Sequence, residues 1–239
     1  KEHPEYAVVL SSLADVYAKR GEKEKALQLF IQTKDLGFDK ESIVVLKGTR
    51  FLEKGQIDVL KNQLNNFSEI TCVGSGYGMP GGNGFQINFE PQGRSESVSG
   101  VGLIIDDFYL DCMNFEMLAG RNFAEDSDDT LAVVINESAA QALGMDEPVG
   151  KLLVSHDGFL KQDAPEAPVY KIIGLIKDFN FMSLRDEVMP YFFVHNKLAG
   201  GVDRMVYAKM STSNVMPVIS RIKDAWKTVS PERPLDFAF

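Results

Sequence analysis

The sequence predicts an α+β fold in which two strand-helix-strand units, one near each end of the chain, enclose a mostly β middle region. The first observation is that apolar residues recur at helical spacing in 51–67 and again in 216–229. The second is that short runs rich in β-branched and aromatic residues flank both helices. The third is that 85–176 contains several such runs and few helical ones. The middle region would therefore be inserted between two halves of one domain.

Residues 4–36 carry a helical pattern. Within it, Leu13, Tyr17, Ala26 and Phe30 fall at offsets that fit one tetratricopeptide repeat, whose period is about 34 residues. We find a single copy, and a lone repeat cannot bury its apolar face. We therefore interpret this segment as a helix or helical hairpin that leans on the domain behind it. The alternative is a tetratricopeptide-like module that binds a peptide or a protein.

The first strand-helix-strand unit comprises a strand at 42–46, an amphipathic helix at 51–67 and a strand at 70–74. A glycine-rich loop follows at 74–82. Its glycine spacing does not match a dinucleotide fingerprint, no Gly-Lys-Ser/Thr follows it, and no helix begins behind it. We interpret the loop as a connection between two units rather than as a nucleotide site.

The middle region is predicted to contain strands, short helices and an acidic loop. Asp106 or Asp107 would cap one helix, and Asn136 would cap another that Gly144 ends. The loop 125–129 lacks the spacing of an EF-hand and is interpreted as a solvated turn. The predicted elements are strands at 85–90 and 98–105, a helix at 106–110, an extended segment at 115–118, a strand at 131–135, a helix at 137–143 and a strand at 152–155.

The stretch 169–190 is interpreted as a crossover between two structural units. A buried strand at 170–176 is broken by Lys177 and Asp178, Ser183 can cap a short turn, and Pro190 precedes a strand at 191–195. The last unit follows as a strand at 202–209, a helix at 216–229 and a strand at 235–239. We divide the chain into an N-terminal helical segment (1–40), the first half of a domain (41–80), an inserted mixed α/β part (81–185) and the second half of the domain (186–239).

The composition, 44% hydrophobic and 25% charged, is that of a globular protein. The net charge of −9 argues against a nucleic-acid surface, which needs concentrated Lys and Arg. No apolar run reaches the roughly 20 residues that span a bilayer, and no signal peptide is visible. Because the sequence begins with Lys1 rather than Met, we expect it to be a piece of something longer.

Cys72 and Cys112 could pair in an oxidising compartment or remain buried free thiols, and the sequence does not decide between them.

A search for catalytic and metal-binding residues identifies no site. His3, His156 and His195 lack the spacing of metal ligands, no serine lies in a GxSxG frame, and neither cysteine has a motif for a nucleophile. Asp178 directly follows a buried strand and could serve as a catalytic base. The favoured interpretation is an acid that hydrogen-bonds the backbone at a corner. The sequence therefore predicts no catalytic, cofactor-binding or metal-binding residue.

Several motifs occur in a fixed order along most of the chain. They are KDLGFDK at 34–40, DFY at 107–109, LAGRNF at 118–123, VVINE at 133–137, PVGK at 148–151, IGLIKDFNF at 173–181, and Trp226, Pro231 and Pro234 followed by FAF at 237–239. Each motif alone is weak, but their order is specific. From about residue 29 to 239 the chain resembles the MacB-like periplasmic core domain of FtsX-like ABC transporter permeases.

This resemblance implies a permease whose membrane helices flank an extracytoplasmic domain on the periplasmic face of the bacterial inner membrane. The domain would consist of a discontinuous porter-like subdomain with an inserted, mostly β, second subdomain. It would carry no catalytic residues, since a cytoplasmic ATPase partner hydrolyses ATP. Its other partners would be a periplasmic adaptor, a lipoprotein or an exported substrate, and the full-length permease would form a homodimer. The motif residues would be fold determinants, with Arg121 and Asp178 as partners.

The N-terminus departs from this pattern. In the family a membrane helix should run into the motif at 34–40, whereas residues 1–28 are polar and repeat-like. Either that helix is missing from the piece, or the N-terminus has another origin.

Overall fold

The computed structural model describes residues 17, 20, 41–78, 84–155, 157, 167–179, 188–199, 204–212 and 214–238. The predicted helical segment 1–40 therefore lies outside the described residues, apart from residues 17 and 20. The same holds for the end of the glycine-rich loop and for the turn at Ser183.

The described residues form a mixed α/β fold that is mostly strands with few helices. All the strands belong to one continuous sheet. In chain order the elements are β1 (Glu41–Lys47), a 3-10 helix (Thr49–Phe51), α1 (Lys54–Asn65), β2 (Ile70–Tyr77), β3 (Phe85–Pro91), β4 (Val98–Ile105), α2 (Tyr109–Cys112), β5 (Met117–Gly120), β6 (Ala132–Asn136), α3 (Glu137–Ala142), β7 (Leu152–Ser155), β8 (Val169–Ile176), β9 (Tyr191–His195), a 3-10 helix (Asn196–Ala199), β10 (Met205–Ser211), α4 (Val215–Val229) and β11 (Asp236–Ala238).

Four antiparallel strands in the order β11-β1-β10-β2 pair strands from the beginning of the described chain with strands from its end. Together with α1 and α4, we call these strands the four-stranded part. Alternate residues of its strands share one core with both helices. On α4 the residues of that core recur at the three- and four-residue spacing of an amphipathic helix. They are Val215, Val218, Ile219, Ile222, Ala225, Trp226 and Val229.

Six other strands close on themselves, and we call them the ring. Each pairs with the next in the order β4-β3-β7-β8-β6-β9, and β9 pairs again with β4. Because side chains alternate along a strand, Val133 and Ile135 belong to the inner core while Val134 belongs to the core outside the ring. The ring therefore has a filled interior, and α3 packs against that same core.

The outer face of the ring packs against the four-stranded part. Leu103, Val134 and Phe193 of the ring share a buried cluster with Val45 of β1 and Tyr207 of β10. The four-stranded part is thus covered on one face by its helices and on the other by the ring.

Strand β9 pairs with strands of the ring. The boundary at 186 groups β9 with the second half of the domain, but β9 pairs with β4 in parallel and with β6 antiparallel. All five of its residues are buried, as expected for a ring strand with a core on each side. In sequence such a strand looks the same in either part, so the second half of the four-stranded part begins with β10.

The buried side chain of Asn136 connects the ends of β6 and β8, the start of β9 and the start of α3. Its Oδ1 accepts hydrogen bonds from the backbone N–H of Ala139 at 3.1 Å and of Tyr191 at 2.8 Å. Its Nδ2 donates to Oδ1 of Asp178 at 2.6 Å and to the carbonyl of Met189 at 3.0 Å. The predicted helix cap is confirmed, and the same amide also fixes the end of β8 and the start of β9.

We expect Asn136→Ala to lower the free energy of unfolding by about 3 kcal/mol, because it leaves several buried donors and acceptors without partners. Urea unfolding followed by circular dichroism measures this change. Asn65→Ala, on the exposed surface of α1, is the matched control and should shift stability by less than about 0.5 kcal/mol. Equal effects of the two substitutions would contradict the role assigned to Asn136.

Candidate functional site

The four-stranded part meets the ring at a narrow pairing between β2 and β4, which we call the junction. Only two residue pairs form it, Gly76 with Ile105 and Tyr77 with Ile104. Within the described ranges no other strands pair across this boundary. Any force that passes along the sheet from one part to the other must therefore cross the junction.

Glycine is required on the β2 side of the junction. A Cβ built on Gly76 would lie 2.5 Å from the carbonyl oxygen of Ile104, and one on Gly74 would lie 2.9 Å from the Cα of Tyr109. Side-chain carbon cannot approach backbone so closely, so these glycines let β2 contact β4 and α2 directly. The strand predicted at 70–74 is longer than expected, and the loop predicted at 74–82 is wrong for 75–77, because these residues continue β2.

A buried carboxylate lies beside the junction. Asp106, which directly follows β4 and is 3% exposed, accepts hydrogen bonds at Oδ2 from the backbone N–H and the hydroxyl of Ser75, both at 2.8 Å. Nζ of Lys61 on α1 contacts the same oxygen at 2.6 Å. At Oδ1 the backbone N–H of Phe108 donates at 3.1 Å. The charge of this buried acid is thus compensated from both sides of the junction.

The short helix α2 is fastened to β2 covalently. Cys72 on β2 and Cys112 on α2 form a disulfide, with 5.3 Å between their Cα atoms. Of the two alternatives that the sequence left open, the paired state is therefore the one observed. Next to it the rings of Tyr109 and Tyr207 meet edge to face at 5.0 Å, and the Tyr207 hydroxyl donates to the carbonyl of Gly78 at 2.7 Å. Burial raises the pKa of both tyrosines, so neither phenol ionises near neutral pH.

His195, at the end of β9, is buried and held in one tautomer. The backbone N–H of Lys197 donates to Nδ1 at 3.1 Å, so Nδ1 is an acceptor and the proton lies on Nε2. Nε2 lies 3.0 Å from Oδ1 of Asp107. Both ring nitrogens are thus used to fix the segment after β4 against the end of β9.

The acidic residues singled out from the sequence have structural roles. Asp178 accepts hydrogen bonds from the backbone N–H of Ser138 at 3.0 Å and from its hydroxyl at 2.6 Å, which confirms the interpretation of an acid that bonds the backbone at a corner. The expected partnership of Arg121 with Asp178 is wrong. Arg121 instead donates to both oxygens of Asp129, at 2.8 and 2.7 Å.

The prediction of a solvated acidic turn at 125–129 is wrong for Asp129, which is only 2% exposed. The hydrogen bonds from Arg121 hold the pKa of the Asp129 carboxyl below its usual range, and a hydrogen bond from the backbone N–H of Ala124 acts in the same direction. Burial works against this lowering. In sequence Asp129 is indistinguishable from its exposed neighbour Asp128, because only the fold brings Arg121 to it.

The arrangement at the junction fixes two parts of one sheet against each other. Sequence reasoning missed Lys61 and Ser75, because their link to Asp106 spans 45 and 31 residues. The signal that could have found the site is an acid directly after the long buried strand β4. In the part of the chain that the structure covers, no three His, Cys, Asp or Glu side chains form a metal-binding group.

No helix among the described residues combines the length and the apolar character needed to cross a membrane.

The family models and the solved structures point to the same kind of domain. A family model described as MacB-like periplasmic core domain matches residues 22–224. This match includes the second half of the segment with the tetratricopeptide-like pattern. No curated protein sequence matches the chain.

Several solved structures are similar to this chain, including the following two. The periplasmic region of MacB from Actinobacillus actinomycetemcomitans is 17% identical with a TM-score of 0.58, over 84% of this chain and 88% of that one. The extracellular domain of the noncanonic ABC-type transporter YknZ from Gram-positive bacteria is 14% identical with a TM-score of 0.56, over 83% of this chain and all of that one (100%). At these identities the likeness shows a shared fold.

We expect the double substitution Cys72→Ala and Cys112→Ala to lower the free energy of unfolding by about 3 to 4 kcal/mol. The disulfide closes a loop with a sequence separation of 40 residues, and its loss restores conformational entropy to the unfolded chain. Urea unfolding of the variant is compared with that of the unaltered protein with and without dithiothreitol. If the reduced protein and the variant both unfold at the midpoint of the oxidised protein, the disulfide has no stabilising role.

Because of the Arg121–Asp129 pair, we expect the free energy of unfolding to decrease at acidic pH. Because the pKa of Asp129 is lower in the folded than in the unfolded state, the unfolded chain binds more protons as the pH falls below about 4. The stabilisation is therefore complete above that pH and is lost as the pH falls through the folded-state pKa. Asp129→Asn should be less stable than the unaltered protein at pH 6 and should lose less stability between pH 5 and pH 3.

Arg121→Gln provides the second arm of this measurement. It removes the main cause of the lowered pKa, so it should reduce the loss of stability in acid in the same way. An acid profile unchanged in both variants would rule out this pair as a contributor.

Proposed function

The chain belongs to the family of MacB-like periplasmic core domains, and from that membership we propose that it couples the motion of a permease's membrane helices to export or to a periplasmic partner. It would do so as the extracytoplasmic domain of an ABC transporter permease, without catalysing a reaction itself. The sequence match over residues 22–224 is the observation that carries this proposal.

The junction supports a mechanical role for the domain. A two-residue strand pairing alone would bend easily, but here a buried ion pair, a disulfide and a shared apolar cluster reinforce it. A displacement of one part would then carry the other with it, as in rigid-body transitions of other proteins. We infer that the domain moves as one body.

We further propose that the four-stranded part is the discontinuous porter-like subdomain and that the ring is the inserted subdomain. On this division the porter-like subdomain takes residues 41–80 and the chain from β10 onward. The inserted subdomain takes β3 to β9. The separation is supported by the closure of the ring and by the two distinct cores that flank the shared cluster.

The cellular setting follows from the same proposal. The domain would lie on the periplasmic face of the bacterial inner membrane, and the Cys72–Cys112 disulfide favours such an oxidising compartment. ATP would be hydrolysed by a cytoplasmic subunit or domain. In the periplasm the domain would contact an adaptor or a lipoprotein, and the full-length permease would act as a homodimer.

The proposal is tested by measuring distances in the full-length permease with its ATPase in nanodiscs. Spin labels are attached through Gly55→Cys on the exposed start of α1, where an added Cβ meets nothing within 4 Å, and through Val149→Cys on an exposed turn of the ring. With ATP, the distance between the two Val149 labels of a dimer should change. The distance from Gly55 to Val149 within one domain should stay the same.

Lys61→Met tests the part that the junction plays. Breaking the buried pair with Asp106 should broaden the distribution of distances between Gly55 and Val149. Lys177→Met is the matched control, since it breaks the exposed pair with Glu116. Distances between the two Val149 labels that do not respond to ATP, or the absence of such a distance, would overturn the coupling proposal.

A further inference from the structure

A cavity of about 440 Å³ opens at one end of the four-stranded part. It lies where β1 turns into the first 3-10 helix, next to the end of β2 and the starts of β10 and β11. Its volume is within the range of sites that hold small molecules. Gly48, with φ of +92°, makes the left-handed turn that brings Arg50 and Phe51 to this cavity.

The charge of the cavity is opposite to that of the chain. Lys47, Arg50, Arg204 and Arg233 line it, whereas Asp236 is the only acidic residue among the described residues of its lining. The protein as a whole carries a net charge of −9. The larger cavity near the α3 end of the ring, about 780 Å³, has both cationic and acidic residues in its lining, so a cationic excess is not a general feature of concave surfaces here. We call the 440 Å³ site the arginine cavity.

The three guanidinium groups are held by aromatic rings rather than by acids. The Cζ atoms of Arg50 and Arg233 lie 4.6 and 4.2 Å from the centre of the Phe51 ring, and Cζ of Arg204 lies 4.6 Å from the centre of the Tyr77 ring. Among the described residues none of the three is ion-paired with a carboxylate. The N–H donors of these arginines are therefore not neutralised by the charged groups that the structure describes.

Arg221, elsewhere on the same protein, is an arginine whose charge is neutralised by a carboxylate. Its Cζ lies 4.0 Å from the centre of the Phe67 ring, but its Nη1 also contacts both oxygens of Glu69, at 3.0 and 2.8 Å. The arginines of the arginine cavity make the same contact with an aromatic ring, but no described carboxylate pairs with them. Phe51 also remains 53% exposed, which places an accessible apolar ring beside the cations.

We propose that the arginine cavity binds a small organic phosphate. The phosphoryl oxygens would accept hydrogen bonds from the guanidiniums, whose planar donors suit phosphate better than an ammonium does. The apolar part of the ligand would pack against Phe51. Such a group is found both in a free organic phosphate and in the headgroup of a phospholipid. The site does not depend on the transport proposal.

The proposal is tested by titration calorimetry with phenyl phosphate, inorganic phosphate and phenol, at low and at high salt. Phenyl phosphate should bind about tenfold more tightly than inorganic phosphate, phenol should not bind, and added salt should weaken both phosphates. Arg204→Gln and Arg233→Gln should each weaken phenyl phosphate about tenfold, the loss of one charge-assisted contact. Phe51→Ser should remove the preference for phenyl phosphate over inorganic phosphate.

Arg221→Gln is the control, because it removes the same charge from a guanidinium that already has an acid. It should leave the affinity unchanged, and thermal unfolding should show that every variant is folded. The proposal is overturned if Arg221→Gln weakens binding as much as Arg233→Gln, if phenol binds as well as phenyl phosphate, or if no phosphate binds.

Vesicles distinguish the two sources of the phosphate. Flotation with phosphatidylcholine vesicles, with and without phosphatidylglycerol, is compared for the unaltered protein and for Arg233→Gln. Binding that needs phosphatidylglycerol and is lost in Arg233→Gln supports a lipid headgroup as the ligand. Binding of phenyl phosphate without binding to vesicles supports a free organic phosphate.

Discussion

The rest of the structure depends on the contact of β2 with β4, because this short pairing makes one sheet out of two differently built parts. The contact requires that the backbones approach without side chains between them, which Gly74 and Gly76 permit. It also requires that a carboxylate be buried at the end of β4, and Ser75 and Lys61 compensate that charge. Each requirement supports the other, since the glycines bring β2 close enough for Ser75 to reach Asp106.

Two buried polar side chains, Asn136 and Asp106, hold the ring in place at different points. Asn136 gathers the ends of β6 and β8 and the start of β9 at one corner. Asp106, with the disulfide close by, fixes β4 and α2 to the four-stranded part. Both side chains are buried and fully hydrogen-bonded. They therefore fix the relative positions of these strands more tightly than apolar packing alone would.

The sequence predicted the type and place of most elements, because strands and helices here carry clear apolar periodicity. The helix at 215–229, the strand at 191–195 and the cap at Asn136 are examples. It could not predict which strands pair, because β9 is equally apolar whether it borders β10 or closes the ring. Nor could it identify Asp129 or the Asp106 centre as buried, since their compensating groups come from elsewhere in the chain. Glycines that look like a loop in sequence can equally mark a close approach of two backbones.

Closure of the ring also bears on how the protein avoids unwanted association. A sheet that closes has no unpaired edge from which another chain could continue it. Open edges remain outside the ring: β11 and β5 are three and four residues long, and on their second side β1 and β2 are paired over only three and two residues. The closed ring itself would therefore offer little template for edge-to-edge aggregation. A binding partner that recognises its target by adding a strand would dock on the strands outside the ring.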